Sequence, residues 1–208
     1  RFDEYVSRSD KPNYHTGAKV AYLDEIIYWI VPEATTRLAG LLSGDYDIVT
    51  QISDTEYDRL LATDGVDPVK KGPAFNLYLM FNHKKGLTSD INIRRAVQAA
   101  INADELMAAG IPNPNFRVLD PSLYPPESAY YNFAKGELYN QNDPEKAKEY
   151  LKKAGYNNER ITFQAISTNA FMTRIGVALV GQLKKAGMNA ELLSYERQTW
   201  SQKRRDGN

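Results

Sequence analysis

Short β-branched and aromatic runs alternate along this chain with segments whose apolar residues recur every three or four positions. Residues 23–31 (LDEIIYWIV) form the first such run and stop at Pro32; 46–50, 66–71, 75–82, 161–167 and 189–196 follow, the third and fourth joined by a Gly72-Pro73 turn. Leu38, Leu41 and Leu42 share one face of a helix that Gly44 is placed to end. Tyr57, Leu60 and Leu61 share another, with Asp54 as its cap. Ile93, Val97, Ala100 and Ile101 make a third stripe behind Asp90. Asp143-Pro144 opens a helix carrying Ala147, Tyr150, Leu151 and Ala154, and Gly155 stops it. In 170–186, Ile175, Leu179, Val180 and Leu183 point inward ahead of Gly187, and 199–208 begins a helix that the chain leaves unfinished. Strands alternating with helices at these spacings imply an α/β fold, a mixed β-sheet flanked by helices.

Two stretches escape the pattern. Residues 1–22 are polar and without a sustained period. Residues 110–142 are rich in Pro, Asn and Tyr, and a loop that long in a compact domain is functional or packed against something. Lys+Arg and Asp+Glu balance at 26 each, so no global field recruits nucleic acid or an anionic membrane. No apolar run approaches the roughly 20 residues that span a bilayer. Without cysteine there is neither a disulfide nor a thiolate metal site. The two histidines, His15 and His83, stand in no metal-ligand spacing, and no phosphate-cradling glycine loop or Gly-x-Ser-x-Gly elbow occurs. Adjacent acids such as Asp24-Glu25 and Asp104-Glu105 point apart on any regular element and form no catalytic dyad by themselves. The expectation is a binding protein without a cofactor or metal, and not an enzyme.

The segment 89–107, SDINIRRAVQAAINADELM, resembles the helix-turn-helix signature of the peptide-type, family 5 solute-binding proteins of ABC importers. A strand ending in Asn82 leads into a helix with Arg95, Ala96, Ala100 and Ile101, and a second helix opens on Asp104-Glu105. Four further segments are similar to family motifs, in order. These are Arg1-Phe2-Asp3-Glu4-Tyr5, then Leu23 to Ile26 with Arg37 to Ile48, then Leu151 to Tyr156, then Gln182 to Leu192. Val6-Ser7 stands where the family usually has Trp-Gly after the first of them.

The resemblance implies one lobe of a two-lobed, type II periplasmic-binding-protein-like fold. Residues 1–22 would be the inter-lobe crossing, 23–198 the α/β ligand-binding lobe, and 199–208 the start of the return. It implies the substrate-binding part of an ABC importer, periplasmic or cell-surface. Such a protein is a monomer that captures short peptides or a similar small solute and delivers them to a membrane permease. Ligands of α/β lobes bind at strand ends and the loops after them. The candidate contacts are therefore Thr50 and Gln51, Tyr78 and Asn82, Thr168 and Asn169, with Arg204 where some members carry an Arg for a ligand carboxylate. Thr168 and Asn169 are also placed to cap the following helix. The rival reading is a sensor or scaffold lobe that binds a protein partner.

Overall fold

The computed structural model describes residues 6–12, 16–70 and 77–207. The Arg-x-x-x-Tyr motif at 1–5, His15, the Gly72-Pro73 turn, Phe75, Asn76 and Asn208 lie outside the described residues. Contacts divide the chain into two units, Arg1–Ile52 and Ser53–Asn208, so the division falls within the span 23–198 expected as one lobe.

The first unit is built around helix α1, Ala34–Ser43. Gly44 ends it as its position suggested, taking the left-handed conformation (φ 82°) and donating its N–H to the carbonyls of Gly40 and Leu41. Gly40 has a packing role of its own. A Cβ there would come 2.3 Å from Tyr46 Cε2, so only glycine lets the tyrosine ring rest on the helix.

In the second unit, Ser53 caps a 3-10 turn (Asp54–Glu56) that runs into α2, Tyr57–Leu61. The expected cap, Asp54, is used differently: its carboxylate accepts the Asn113 N–H at 2.8 Å. Asp90 caps α3 (Ile91–Ala100) as expected, accepting from Asn92 N at 2.6 Å. Asn102 caps α4 (Ala103–Gly110), which places Asp104 and Glu105 in the first turn, where acids favour the helix dipole. Asp143 caps α5 (Pro144–Lys153), with the proline at the first helical position, and the Gly155 that follows has φ 66°. Strand β1 (Ile161–Ile166), helix α6 (Ala170–Lys185) and strand β2 (Ala190–Tyr195) then form a βαβ unit. The two strands are parallel, with Ile161 opposite Ala190 and Ile166 opposite Tyr195. Helix α7 (Arg197–Asp206) begins two residues earlier than expected. It is closed by Gly207 in the left-handed conformation, φ 68°, rather than left unfinished.

The core lies where α6 meets the sheet on one side and the α3–α4 hairpin with α5 on the other. Leu183, Ala96, Val97, Ala99, Ala147 and Ala186 are fully buried there. Gly176 allows the close approach of helix to sheet, because a Cβ on it would sit 2.7 Å from Leu192 Cδ1.

The α/β layering is the expected one, but the sheet is narrower and purely parallel among the described residues. The runs 23–31, 46–50, 66–70 and 77–82 carry no ladder, against the expectation of strands. Ile26, Ile27, Tyr28, Trp29 and Ile30 are all exposed, Ile30 at 94%. Strand propensity reflects side-chain packing on a paired, half-buried surface, and without a partner strand the same residues stay unpaired.

Truncating Leu183 to alanine should cost roughly 2–5 kcal/mol in urea unfolding, because its side chain is enclosed on all sides. Val177→Ala, on the exposed face of the same helix, should change stability by less than about 0.5 kcal/mol.

Candidate functional site

In parallel β-strands the carboxyl ends fall on one edge, and here that edge gathers polar groups. Ser167 follows β1 and Glu196 follows β2; the Ser167 hydroxyl donates to Glu196 Oε1 at 3.2 Å, and Ser167 N–H to the Tyr195 carbonyl at 2.9 Å. Thr168 is exposed just beyond. Asn169 caps α6, accepting from Met172 N at 3.0 Å, so its side-chain oxygen is committed to the helix. Sequence reasoning did not single out Ser167 and Glu196, although each is the last residue of a run read as a strand.

Helix α7 starts at this edge and contacts both strands. Its cations are held by its own aromatic neighbours. The Arg204 guanidinium lies 4.9 Å from the Trp200 ring centroid and Lys203 Nζ 5.1 Å from that of Tyr195. Arg204 is exposed, with its guanidinium over the Trp200 ring. Arg197, Lys203 and Arg205 border an open concavity of about 850 Å³, lined by residues of α7 alone.

Asn82 joins the far end of α7 to the segment before α3. Its Nδ2 donates to the Gly207 carbonyl at 2.7 Å, while its Oδ1 accepts from Lys84 and Lys85 N–H at 2.9 and 3.3 Å. The structure thus brings Asn82 to the α7 terminus near Arg204, with its polar groups spent on the backbone. Tyr78 is 65% exposed. Thr50 and Gln51 belong to the first unit, where both are exposed and Gln51 has φ 59°.

The long loop after α4 is pinned at both ends. Buried Asn113 bonds Asp54 and Asp58, and Asn140 accepts the Ala103 N–H at 2.6 Å while donating to Asp104 at 2.8 Å. Between them Tyr131 donates to Asp120 at 3.0 Å; desolvation, then this bond and the Asp120 charge, push its phenol above the ordinary value of 10.0. Among the described residues no three His, Asp or Glu side chains converge as a metal site would need.

The model of the bacterial extracellular solute-binding proteins, family 5 middle region, matches residues 2–208. The chain belongs to this family. It is 26% identical over 200 residues to a probable peptide ABC transporter periplasmic-binding protein of Sinorhizobium fredii, covering 92% of this chain and 37% of the relative. It is likewise 26% identical over 192 residues to the dipeptide-binding protein of Escherichia coli, covering 89% and 35%. The family 5 chain therefore spans little more than a third of the length of these relatives. Among solved structures, DppA of Helicobacter pylori in complex with the peptide STSA superposes with a TM-score of 0.70 at 26% identity, over 83% of this chain and 33% of that one. NikA of Brucella suis in complex with Fe(III)-EDTA gives a TM-score of 0.71 at 21% identity, over 85% and 38%, which shows the shared fold. The fold is that of the type II periplasmic binding proteins.

Asn82→Asp tests the tie to α7. The variant keeps both acceptor bonds to the 84–85 amides but sets a carboxylate against the Gly207 carbonyl. Amide exchange at Gly207 should accelerate, while Lys84 and Lys85 stay as protected as before; unchanged exchange at Gly207 would remove Asn82 from this role.

Proposed function

We propose that this chain is the ligand-binding second lobe of the substrate-binding component of an ABC importer, and that its cargo is short peptides. The observation that carries the reading is the family match along residues 2–208. Relatives and structural neighbours named for peptides support the cargo. In the full-length protein, periplasmic or held at the cell surface, the other lobe would close with this one over the ligand by hinge motion. The monomer would then present its cargo to the permease. Within the chain, 23–198 would serve the lobe, with 1–22 crossing into it and 199–208 leading out.

The polar groups divide by exposure. Thr50 and Gln51 in the first unit, and Tyr78, Thr168 and Arg204 in the second, are the groups we assign to ligand contact. Hydroxyls and amides of this kind pair with peptide N–H and C=O whatever the side chains, and Arg204 suits a terminal carboxylate. Asn82 and Asn169 act as supports within the second unit, through the bonds that fix α7 and α6. Affinity would come from enclosure and hydrogen bonding, without a covalent step.

Other relatives carry the names nickel-binding periplasmic protein of Escherichia coli and heme-binding protein A of Haemophilus influenzae, so the cargo needs a direct test. Native mass spectrometry of the full-length protein should show a ladder of short peptides of mixed sequence and narrow length range. A single non-peptide mass, a chelated metal or a porphyrin, would overturn peptides as the cargo and leave the carrier standing.

A further inference from the structure

We infer that Arg37 is a positioning residue: it holds Gln51 in a left-handed backbone conformation and so sets the pose of the polar pair Thr50 and Gln51. That this pose serves a ligand rests on the carrier reading above. The Arg37 side chain is half-buried, and its guanidinium binds main-chain oxygens only. Nη1 donates to the carbonyls of Val31 and Pro32, both at 2.7 Å, and Nη2 to that of Gln51 at 3.1 Å. One planar fork thereby ties the end of the 23–31 run, the approach to α1 and the segment beyond Tyr46 into one body. The other side of the guanidinium shows what this costs, since its Nε is buried and has no partner. Placement of the group is thus dictated by the carbonyls that its terminal nitrogens reach.

Gln51 is the residue that needs such support. At φ 59° its Cβ crowds the following carbonyl, a conformation that L-residues other than Asn and Asp rarely adopt. Among the described residues, three of the five non-glycine positions with positive φ are Asn140, Asn142 and Asn158, the residue type that tolerates this conformation best after glycine. Glutamine lacks that tolerance, and strain of this kind persists where surrounding structure fixes it. The bond from Arg37 to the carbonyl of Gln51 itself is the fixing contact. A single lysine ammonium cannot reproduce it, because it lacks the rigid fork.

The test compares Arg37→Lys, the double variant R37K/Q51N and Gln51→Val in the full-length protein. The first readout is the strong intraresidue Hα–HN NOE of residue 51 that a positive φ produces; the second is affinity for trialanine. Arg37→Lys should lose the NOE and bind trialanine about tenfold more weakly, the order of the left-handed penalty. The double variant should regain the NOE, since asparagine favours that conformation without help. A merely structural arginine would not be rescued by a change at position 51. Gln51→Val keeps Arg37 and forbids the conformation, so it serves if Arg37→Lys fails to fold; full trialanine affinity in Gln51→Val would overturn the positioning role. An unchanged NOE in folded Arg37→Lys would overturn the clamp itself. If the wild-type protein ignores trialanine, that peptide is not its cargo and the NOE comparison alone decides the clamp.

Discussion

The carboxamide of Gln182, 8% exposed on the inner face of α6, exchanges two hydrogen bonds with the peptide of Asn102, accepting from its N–H and donating to its carbonyl, both at 3.1 Å. Its Nε2 also reaches Glu105 Oε2 at 3.0 Å. Asn102 is the turn between α3 and α4, and a helix break of that kind leaves backbone groups without intrahelical partners. The Asn102 carbonyl also accepts the Leu106 N–H, so it is the N–H that, left unpaired in the interior, would cost about 1–3 kcal/mol. Gln182 thereby pins the turn of the helical hairpin to α6, as Arg174 pins the end of α4, and α6 in turn carries the sheet through Gly176 and Leu192. The Asn142 and Asp143 amides bond Ile101 and Ala99 at the same turn, so the long loop and α5 inherit their placement from it.

Elements whose stability is local were legible in the sequence. Asp90, the Asp143-Pro144 pair, Asn169, Gly44 and Gly187 mark helix ends by chemistry that acts within four residues, and all stand at helix ends in the structure. The βαβ unit was equally readable, because β1 and β2 find each other across a single helix. Runs that need a distant partner were not. Residues 23–31 read as a strand from composition, yet pairing is a property of two segments, and the second is not among the described residues. Asp54 illustrates another limit: its position before a helix pattern suits a cap, but Asn113, 59 residues away, claims its carboxylate. A purely local bond moves the other boundary: α7 starts two residues early at Arg197, where the Trp200 N–H already finds the Glu196 carbonyl.

The candidate contacts show a similar split between what residue type and what surroundings decide. Thr168 and Asn169 are neighbours of similar chemistry at one strand end, but only Asn169 meets a helix N–H, and Thr168 is left facing out. Asn82 ties to the Gly207 carbonyl just past α7, and Arg204, within α7, lies over Trp200 of the same helix. Sequence position could nominate all four. Which of them spends its polar atoms on the fold depends on long-range packing, and in Asn82 the partner is 125 residues away.

Most of the long-range polar bonds that organise the chain end on main-chain atoms. Gln182 binds the Asn102 peptide, Arg174 binds the Ala109 and Gly110 carbonyls, Asn82 binds that of Gly207 and Arg37 those of Val31, Pro32 and Gln51. A bond to a backbone carbonyl persists whatever side chain the acceptor residue carries, so the frame tolerates substitution along its partners. Relatives that share only about a quarter of their residues with this chain can keep the frame on those terms, while their names span peptide, nickel and heme. Side chains free of framing duty, such as Thr168, are then the positions that can change without cost to the fold.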